Sequence, residues 1–518
     1  MRSFLVAVLF APLLVAAVAV DTEGPTSTKI ALGRRADSTL PFNVAHPGTT
    51  PAFIRPAVAK LLPVKQVAGL LSATTTQVDS LLARTAADLL TTTNSVVGGL
   101  TNTVNNLLCG LLGCVTIPKT PTVPTTPVSG PACLDSTYND TVISSLFNYG
   151  GAGTTVFLCP GAVINLQNAI WMYWPNQTLT TGTGVLGAII GDNRATLVVQ
   201  GSSQSVALYS SDPGRDGATV KNLIVNGNRS GLGWLSTGGA LLEMGGTNSG
   251  QTVTNVKAYE PRGWSALHMI EGNGLSCTGA VVTNNQIGPA GHAPSGAQQF
   301  RRKRDTGTYA PGQWADGISL ACRNSVVTGN TITDATDGGI VVFQSPGSTI
   351  SGNTIIADQR QLLGGINAVD YYPYGGPYTN TQIINNNIVS KSSMIKIGMA
   401  VGTLSWGSYN STDYRTSAGT YSNNIFSSGN DGYFGFGVTV AGITGGIVQG
   451  NTFVGANFGG VLTGACILPI PTFGPLYQNP YTTPSTTLQS SFVDGGAFQF
   501  AICTGPGDQI ITGLSQLA

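Results

Sequence analysis

Two aspartates, Asp316 in W-A-D-G-I-S (314–319) and Asp337 in D-A-T-D-G-G-I (334–340), are the residues of this 518-residue chain best placed to do chemistry. Charged residues make up only 9% of it, so acids gathered in one stretch stand out. Two nearby carboxyl groups can divide roles, one protonated as acid and one ionised as base. Asp334 joins them as a third candidate, and Glu271 and Asp370 lie at matching positions on either side. His268 is a candidate base. Lys396 could bind a substrate carboxylate or stabilise a carbanion-like transition state. Asn367 is a polar contact, and Trp264, Trp314, Tyr371 and Tyr372 offer rings on which sugars could stack. Each has a plainer reading. An aspartate before glycine caps turns, Glu271 and Asp370 could bond backbone at strand ends, and His268 could simply be packed.

What must position these residues is a repeat. V-V-T-G-N-T-I ends at Ile332 and S-T-I-S-G-N-T-I at Ile355, so Asn330 and Asn353 lie 23 residues apart. That is the length of one turn of a β-solenoid. The phrase recurs around Asn222, Asn255, Asn285, Asn386, Asn423 and Asn451, and the intervals from Asn222 onward are 33, 30, 45, 23, 33, 37 and 28. The shortest is a bare coil and the others are a coil plus an insertion. Asparagine suits the bend because it tolerates the left-handed conformation, and stacked asparagines can bond as an amide ladder. The chain has 69 glycines for tight bends. The expected fold is an all-β parallel β-helix.

Aligning the strand after each asparagine phrase predicts one inward column of Leu267, Ile318, Ile340, Ile366 and Ile397. Period-2 alternation then puts His268, Ser319, Val341, Asn367 and Lys396 on the outer face. Asp337 falls on that face by parity, and Asp316 only if its strand begins at Gly317. Glu271, Gln344 and Asp370 mark the far end of the same strands. With coils ~4.8 Å apart, side chains one or two coils apart reach the carboxylate separations used in glycoside hydrolysis.

Residues 1–19 are a secretory signal peptide, too short and wrongly flanked for a membrane anchor. Residues 20–35 end in Arg34-Arg35, a possible propeptide site. Residues 36–114 hold leucines and valines at helical spacing, and 115–131 are a Pro/Thr-rich linker. The β-helix domain then spans 132–518. A formal net charge of +1 leaves no footprint for nucleic acid. Eight cysteines without paired C-x-x-C units suggest disulfides in an exported, extracellular protein and no metal site. Proximity along the solenoid pairs Cys133 with Cys159, Cys277 with Cys322 and Cys466 with Cys503, leaving Cys109 with Cys114. Sequons at Asn139, Asn176, Asn228 and Asn410 fit a glycosylated surface. An insertion, about Gly288 to Gln313, carries Arg301-Arg302-Lys303-Arg304. It could attract an acidic glycan, be cut by a protease, or be an ordinary solvated loop.

Over roughly 133–500 the coil pattern is similar to the pectate-lyase-like superfamily, which implies a right-handed β-helix. W-A-D-G-I-S followed by D-A-T-D-G-G-I resembles fungal polygalacturonases, a family with N-T-D, D-D, G-H-G and R-I-K motifs that inverts by acid/base catalysis. Carried over, Asp316 matches the N-T-D aspartate, Asp337 the first of the D-D pair, and Lys396 in M-I-K the lysine of R-I-K. Gly338 replaces the second aspartate, Met394 replaces the arginine, and no histidine stands at the G-H-G position. These departures argue against a polygalacturonase as such. The chain is more similar to a group of secreted fungal β-helix proteins with W-A-D-G-I-S-L-A-C and D-G-G-I-V-V-F motifs.

The expected function is a secreted, monomeric carbohydrate-active enzyme acting on a polysaccharide, acidic or neutral. The first form is a glycoside hydrolase without cofactor that uses Asp316 and Asp337. A uronate lyase or epimerase would instead use Lys396 or His268 as base, with calcium or arginine neutralising the carboxylate. A non-catalytic wall-binding or structural protein is the third form, for which the incomplete acid set argues. The linker has no apolar periodicity to bury. Limited proteolysis should therefore cut between Val115 and Pro131 and leave a stable fragment starting near Cys133; first cuts inside 320–460 would contradict the two-part organisation.

Overall fold

The structure is a computed structural model and describes residues 133–183, 187–188, 193–292, 314–406, 413–429, 431–462, 473–495 and 504–514. The signal, propeptide, helical and linker segments, the Arg301–Arg304 run, and the Cys109–Cys114 and Cys466–Cys503 pairings lie outside the described residues.

Each coil contributes two short strands on either side of the asparagine bend and one longer strand beyond it. The short strands pair from coil to coil within a 20-stranded sheet. The longer ones form a second, 13-stranded sheet. Ile170–Trp171 (β1), Leu208–Tyr209 (β2), Leu242–Gly245 (β3), Ser265–Ile270 (β4), Asp316–Leu320 (β5), Gly338–Val342 (β6), Leu362–Ala368 (β7), Met394–Val401 (β8) and Tyr433–Val440 (β9) run parallel in that order. This is a right-handed parallel β-helix. Its interior is three stacks of apolar side chains, one per strand row. Val282, Val327, Ile350 and Ile383 form the first, Ile287, Ile332, Ile355 and Ile388 the second, and Leu267, Ile318, Ile340 and Ile366 the third, all buried. Each contributes about 1.5–3 kcal/mol of burial.

The bend is built from two residues. The first is left-handed, at Asn284 (φ 56°), Gly329 (66°), Gly352 (64°), Asn385 (57°), Asn423 (59°) and Gly450 (66°). The second is a buried asparagine whose amide reaches the next coil. Asn285, Asn330, Asn353, Asn386, Asn424 and Asn451 are joined Nδ2 to Oδ1 at 2.8, 2.9, 2.9, 3.0 and 3.0 Å. Each Nδ2 from Asn285 on also donates to a backbone carbonyl of the preceding coil, as Asn353 does to Val327 at 2.9 Å. In S-N-N-I-F the ladder member is thus Asn424, and the expected Asn423 is the left-handed residue before it. Asn222 and Asn255 are themselves left-handed and sit one residue out of line with the ladder.

The ends are closed. Helix α1 (Asp140–Gly150) starts at Asn139, whose side chain accepts from the Val142 amide. It lays Ile143 and Phe147 over the first coil. At the other end Thr504–Leu514 pairs antiparallel with Ala456–Leu462, covering an edge that would otherwise be open. Both disulfides expected among the described cysteines are present, Cys133–Cys159 and Cys277–Cys322, with Cα atoms 4.9 and 4.8 Å apart. The second joins neighbouring coils, so the 45-residue interval between Asn285 and Asn330 is indeed one coil plus an insertion. Among the described residues no helix is long and apolar enough to cross a membrane.

The ladder predicts a sharp difference between adjacent asparagines. Asn424→Ala strands buried donors and acceptors on both neighbouring coils and should lower stability by on the order of 2 kcal/mol. Asn423→Gly keeps the left-handed bend and should stay within about 0.5 kcal/mol of native. Chemical denaturation of the two variants measures both.

Candidate active site

Strands β5 to β9 each turn two consecutive residues inward, a glycine and then a large apolar residue: Gly317-Ile318, Gly339-Ile340, Gly365-Ile366, Gly398-Met399 and Gly437-Val438. A Cβ at Gly317 would lie 2.6 Å from both the Gly339 carbonyl oxygen and Ile332 Cγ2, and one at Gly339 2.5 Å from the Gly365 oxygen and Ile355 Cγ2. Only glycine fits there. The doubled inward step breaks the period of two and brings residues i and i+3 to the same outer face. Asp316 therefore does join Ser319 outside, and its Oδ2 accepts from the Ser319 hydroxyl at 2.9 Å.

The same step corrects the sequence alignment at one strand. Ile366 pairs with Met399, and Ile397 pairs with Gly364. M-I-K-I-G-M carries apolar residues at 395, 397 and 399, and the inward one is that following the glycine. Lys396 consequently leaves the row of His268 and Asn367. It is buried, in the row of Leu363 and Asp337, two coils from the latter.

Asp316 is the centre of the arrangement. It is almost wholly buried at the start of β5. Its Oδ1 accepts from the Gly338 amide at 2.9 Å, placing it on the residue directly after Asp337. Burial, and then the neighbouring Asp337 charge, push its carboxyl well above the ordinary carboxylate range. The Gly338 and Ser319 hydrogen bonds only partly offset this, and Asp370 adds to it. Asp337 is half-buried. A carboxyl pushed toward its protonated form thus stands beside a less deeply buried one.

One row of the outer face runs past this pair. Trp171, Tyr209, Glu243, His268, Ser319, Val341 and Asn367 occupy the same position on successive strands from β1 to β7. His268 Nδ1 lies 3.1 Å from Glu243 Oε1, and Glu243 Oε2 accepts from the Ala240 amide at 3.1 Å. The edge of Trp264 packs on the imidazole, centroids 4.8 Å apart. Glu243 was missed from sequence, although stepping back one coil from Leu267 to Leu242 would have found it. The Ser319 hydroxyl bonds Asp316 and Ser265, so its donor is not directed to His268. Asn367 is buried, with Oδ1 unpartnered among the described contacts, and its amide lies over Gly364 and Gly338.

The remaining candidates are dispersed along the strand ends. Asp334 is left-handed, and its Oδ1 accepts from three successive amides, Asp358, Gln359 and Arg360, at 2.8, 2.9 and 3.1 Å. That carboxylate anchors the next coil's turn. At the opposite strand ends Gln344 donates to the Asp370 carbonyl and accepts from the Tyr374 amide. Glu271 lies near enough to raise the Tyr374 phenol after burial has done so. Asp370 is fully buried, and desolvation raises its carboxyl to about 8. Tyr371 and Tyr372 meet Tyr414, with ring centroids 5.1 to 6.5 Å apart, in a partly exposed cluster. Tyr414, 42 residues away in sequence from Tyr372, carried no signal. Trp314 is buried at the entry to β5. Among the described residues no three His, Cys, Asp or Glu side chains gather as candidate metal ligands.

No protein-family model matches the chain and no curated protein sequence matches it. Among solved structures, the alginate lyase from Paenibacillus sp. strain FPU-7 aligns over 61% of this chain and 94% of its own, at 13% identity and TM-score 0.31. The Streptococcus pneumoniae surface protein and adhesin PfbA aligns over 71% and 97%, at 12% identity and TM-score 0.36. A mutant tailspike protein of E. coli bacteriophage HK620 in complex with pentasaccharide aligns over 72% and 65%, at 12% identity and TM-score 0.42. Likenesses this distant carry no functional weight, and the fold stands on the strand register.

Buried protonated acids make stability fall with rising pH. Asp370, with a folded value of about 8, binds its proton more tightly in the native than in the unfolded chain. Between the unfolded value near 3.9 and the folded one, the native state holds more protons, so each step up in pH favours unfolding. The melting temperature should drop from about pH 5 to about pH 8, and Asp370→Asn should reduce that drop; an equal drop in the variant contradicts the assignment.

Proposed function

We propose that the protein is a secreted carbohydrate-active enzyme that binds a polysaccharide along the outer face of the long-strand sheet and hydrolyses it by acid/base catalysis. The observation that carries this reading is the proton-holding Asp316 beside the more exposed Asp337. Asp316 gives its proton to the departing glycosidic oxygen. Asp337 takes a proton from the water that adds to the sugar carbon, so the C–O bond breaks as a new one forms. Asn367 and His268 lie in the row along the face, Glu271 and Tyr371 offer contacts at its margin, and the buried Trp314, Asp370 and Lys396 support it from within. Asp334 supports the turn. The two disulfides agree with an oxidising, extracellular location.

A second reading draws on Glu243, which fixes His268 through Nδ1 and leaves Nε2 as the nitrogen available to a substrate. In a uronate lyase or epimerase that nitrogen would abstract the proton beside the carboxylate, and Lys396 would offset the charge.

The test is turnover of a polysaccharide panel with product analysis. Asp316→Asn and Asp337→Asn should each fall by ~10²–10⁴-fold while keeping the native melt, and Asp334→Asn should lose stability more than turnover. Products absorbing in the ultraviolet would point to β-elimination and the second reading. Glycan binding that survives all three substitutions, with no turnover by the native protein, would make it a binding protein.

A further inference from the structure

The row that contains His268 and Ser319 does not stop at Glu243. One and two coils earlier it continues as Tyr209 and Trp171, whose rings lie 4.4 Å apart between centroids, tilted by 48°. Trp171 stays 37% exposed although helix α1 packs beside it and Ser144 Oγ accepts from its backbone amide at 3.1 Å. Trp174 and Tyr149 are exposed too, at 45% and 72%, and the Trp174 indole donates to the Asn148 carbonyl, next to Tyr149, at 2.9 Å. A closed end has no need of three uncovered aromatic rings, with the half-buried Tyr209 packed against one of them.

Polar groups stand at the rim of this patch. The Tyr209 hydroxyl donates to Asp212 Oδ1 at 3.3 Å, and Asp212 also holds Arg215 at 3.5 Å. Flat rings bordered by a carboxylate and a guanidinium match the chemistry of a sugar, whose C–H faces are apolar and whose rim is all hydroxyl. A protein partner would ask for a broader apolar face with fewer charges.

We propose that Trp171 and Tyr209 form a remote sugar-stacking subsite for a glycan chain lying along the solenoid axis, over the row that leads to Asp316. The inference rests on the polysaccharide reading above and adds the direction of the bound chain. Trp171 is three strands from His268 and four from Ser319, or ~14 and ~19 Å at ~4.8 Å per strand. Only an oligosaccharide can touch both ends. The tyrosine cluster at the strand ends would instead be reached by a chain running along the strands, across the solenoid axis.

The experiment is calorimetric titration of cello-, xylo- and galacturono-oligosaccharides, from trisaccharide to octasaccharide, into the full chain carrying Asp316→Asn. Affinity for the family that binds should rise with chain length. Trp171→Ala should remove that rise, weakening the octasaccharide about tenfold while leaving the trisaccharide unchanged, and Trp171→Phe should restore most of it. Unchanged octasaccharide affinity in Trp171→Ala, equal loss for both lengths, or no binding of any of these probes by the parent protein would overturn the subsite. Length-dependent binding without turnover by the native enzyme would keep the subsite and reject only the hydrolase.

Discussion

Everything on the outer face depends on coil-to-coil register, and the asparagine ladder sets it. Each ladder amide is buried, donates backward to a carbonyl and accepts a backbone amide, and each before Asn451 also donates forward to the next asparagine. A slip of one residue would strand all of these groups in an apolar interior, where each unmade bond costs about 1–3 kcal/mol. The stacked glycines act on the opposite side of the coil. They let neighbouring backbones approach so closely that no other residue fits, and they fix where two residues turn inward together.

Function follows from that constraint. Because Gly317 and Ile318 both face inward, Asp316 emerges on the same face as Ser319 and reaches the Gly338 amide. Without the doubled step it would point into the core, and Asp337 would stand alone. The same register carries Glu243 beside His268 and lines the aromatic pair of the first strands up with both. A solenoid thereby converts sequence repetition into a linear surface, which suits a linear ligand.

Much of the fold was legible because the ladder needs asparagine at a fixed point of every coil. That Asp316 and Asp337 stand on successive coils was legible for the same reason, although the register sets Asp316 opposite Gly338 and leaves Asp337 one residue out of line. Parity was not a safe guide to facing. Alternation assumes a regular strand, and the paired inward residues violate it in every coil of this sheet from β5 to β9. That is why Asp316 looked misplaced and Ile397 was assigned to the wrong column; the glycine before each inward residue was the signal to follow. Tyr414 could not be found, because its meeting with Tyr371 and Tyr372 arises from turns that no period describes. Glu243 sits between Asn222 and Asn255, where the asparagine phrases are out of line with the ladder, so no phrase marks its coil.

The central claim is that Asp316 keeps its proton because burial and Asp337 oppose its ionisation. Carbon-13 NMR titration of labelled aspartate carboxyls tests it directly. Two resonances, those of Asp316 and Asp370, should remain protonated well above the ordinary carboxylate range; the Asp316 one should vanish in Asp316→Asn and titrate at lower pH in Asp337→Asn, where the neighbouring charge is gone. An Asp316 resonance that titrates together with the exposed aspartates would contradict the account.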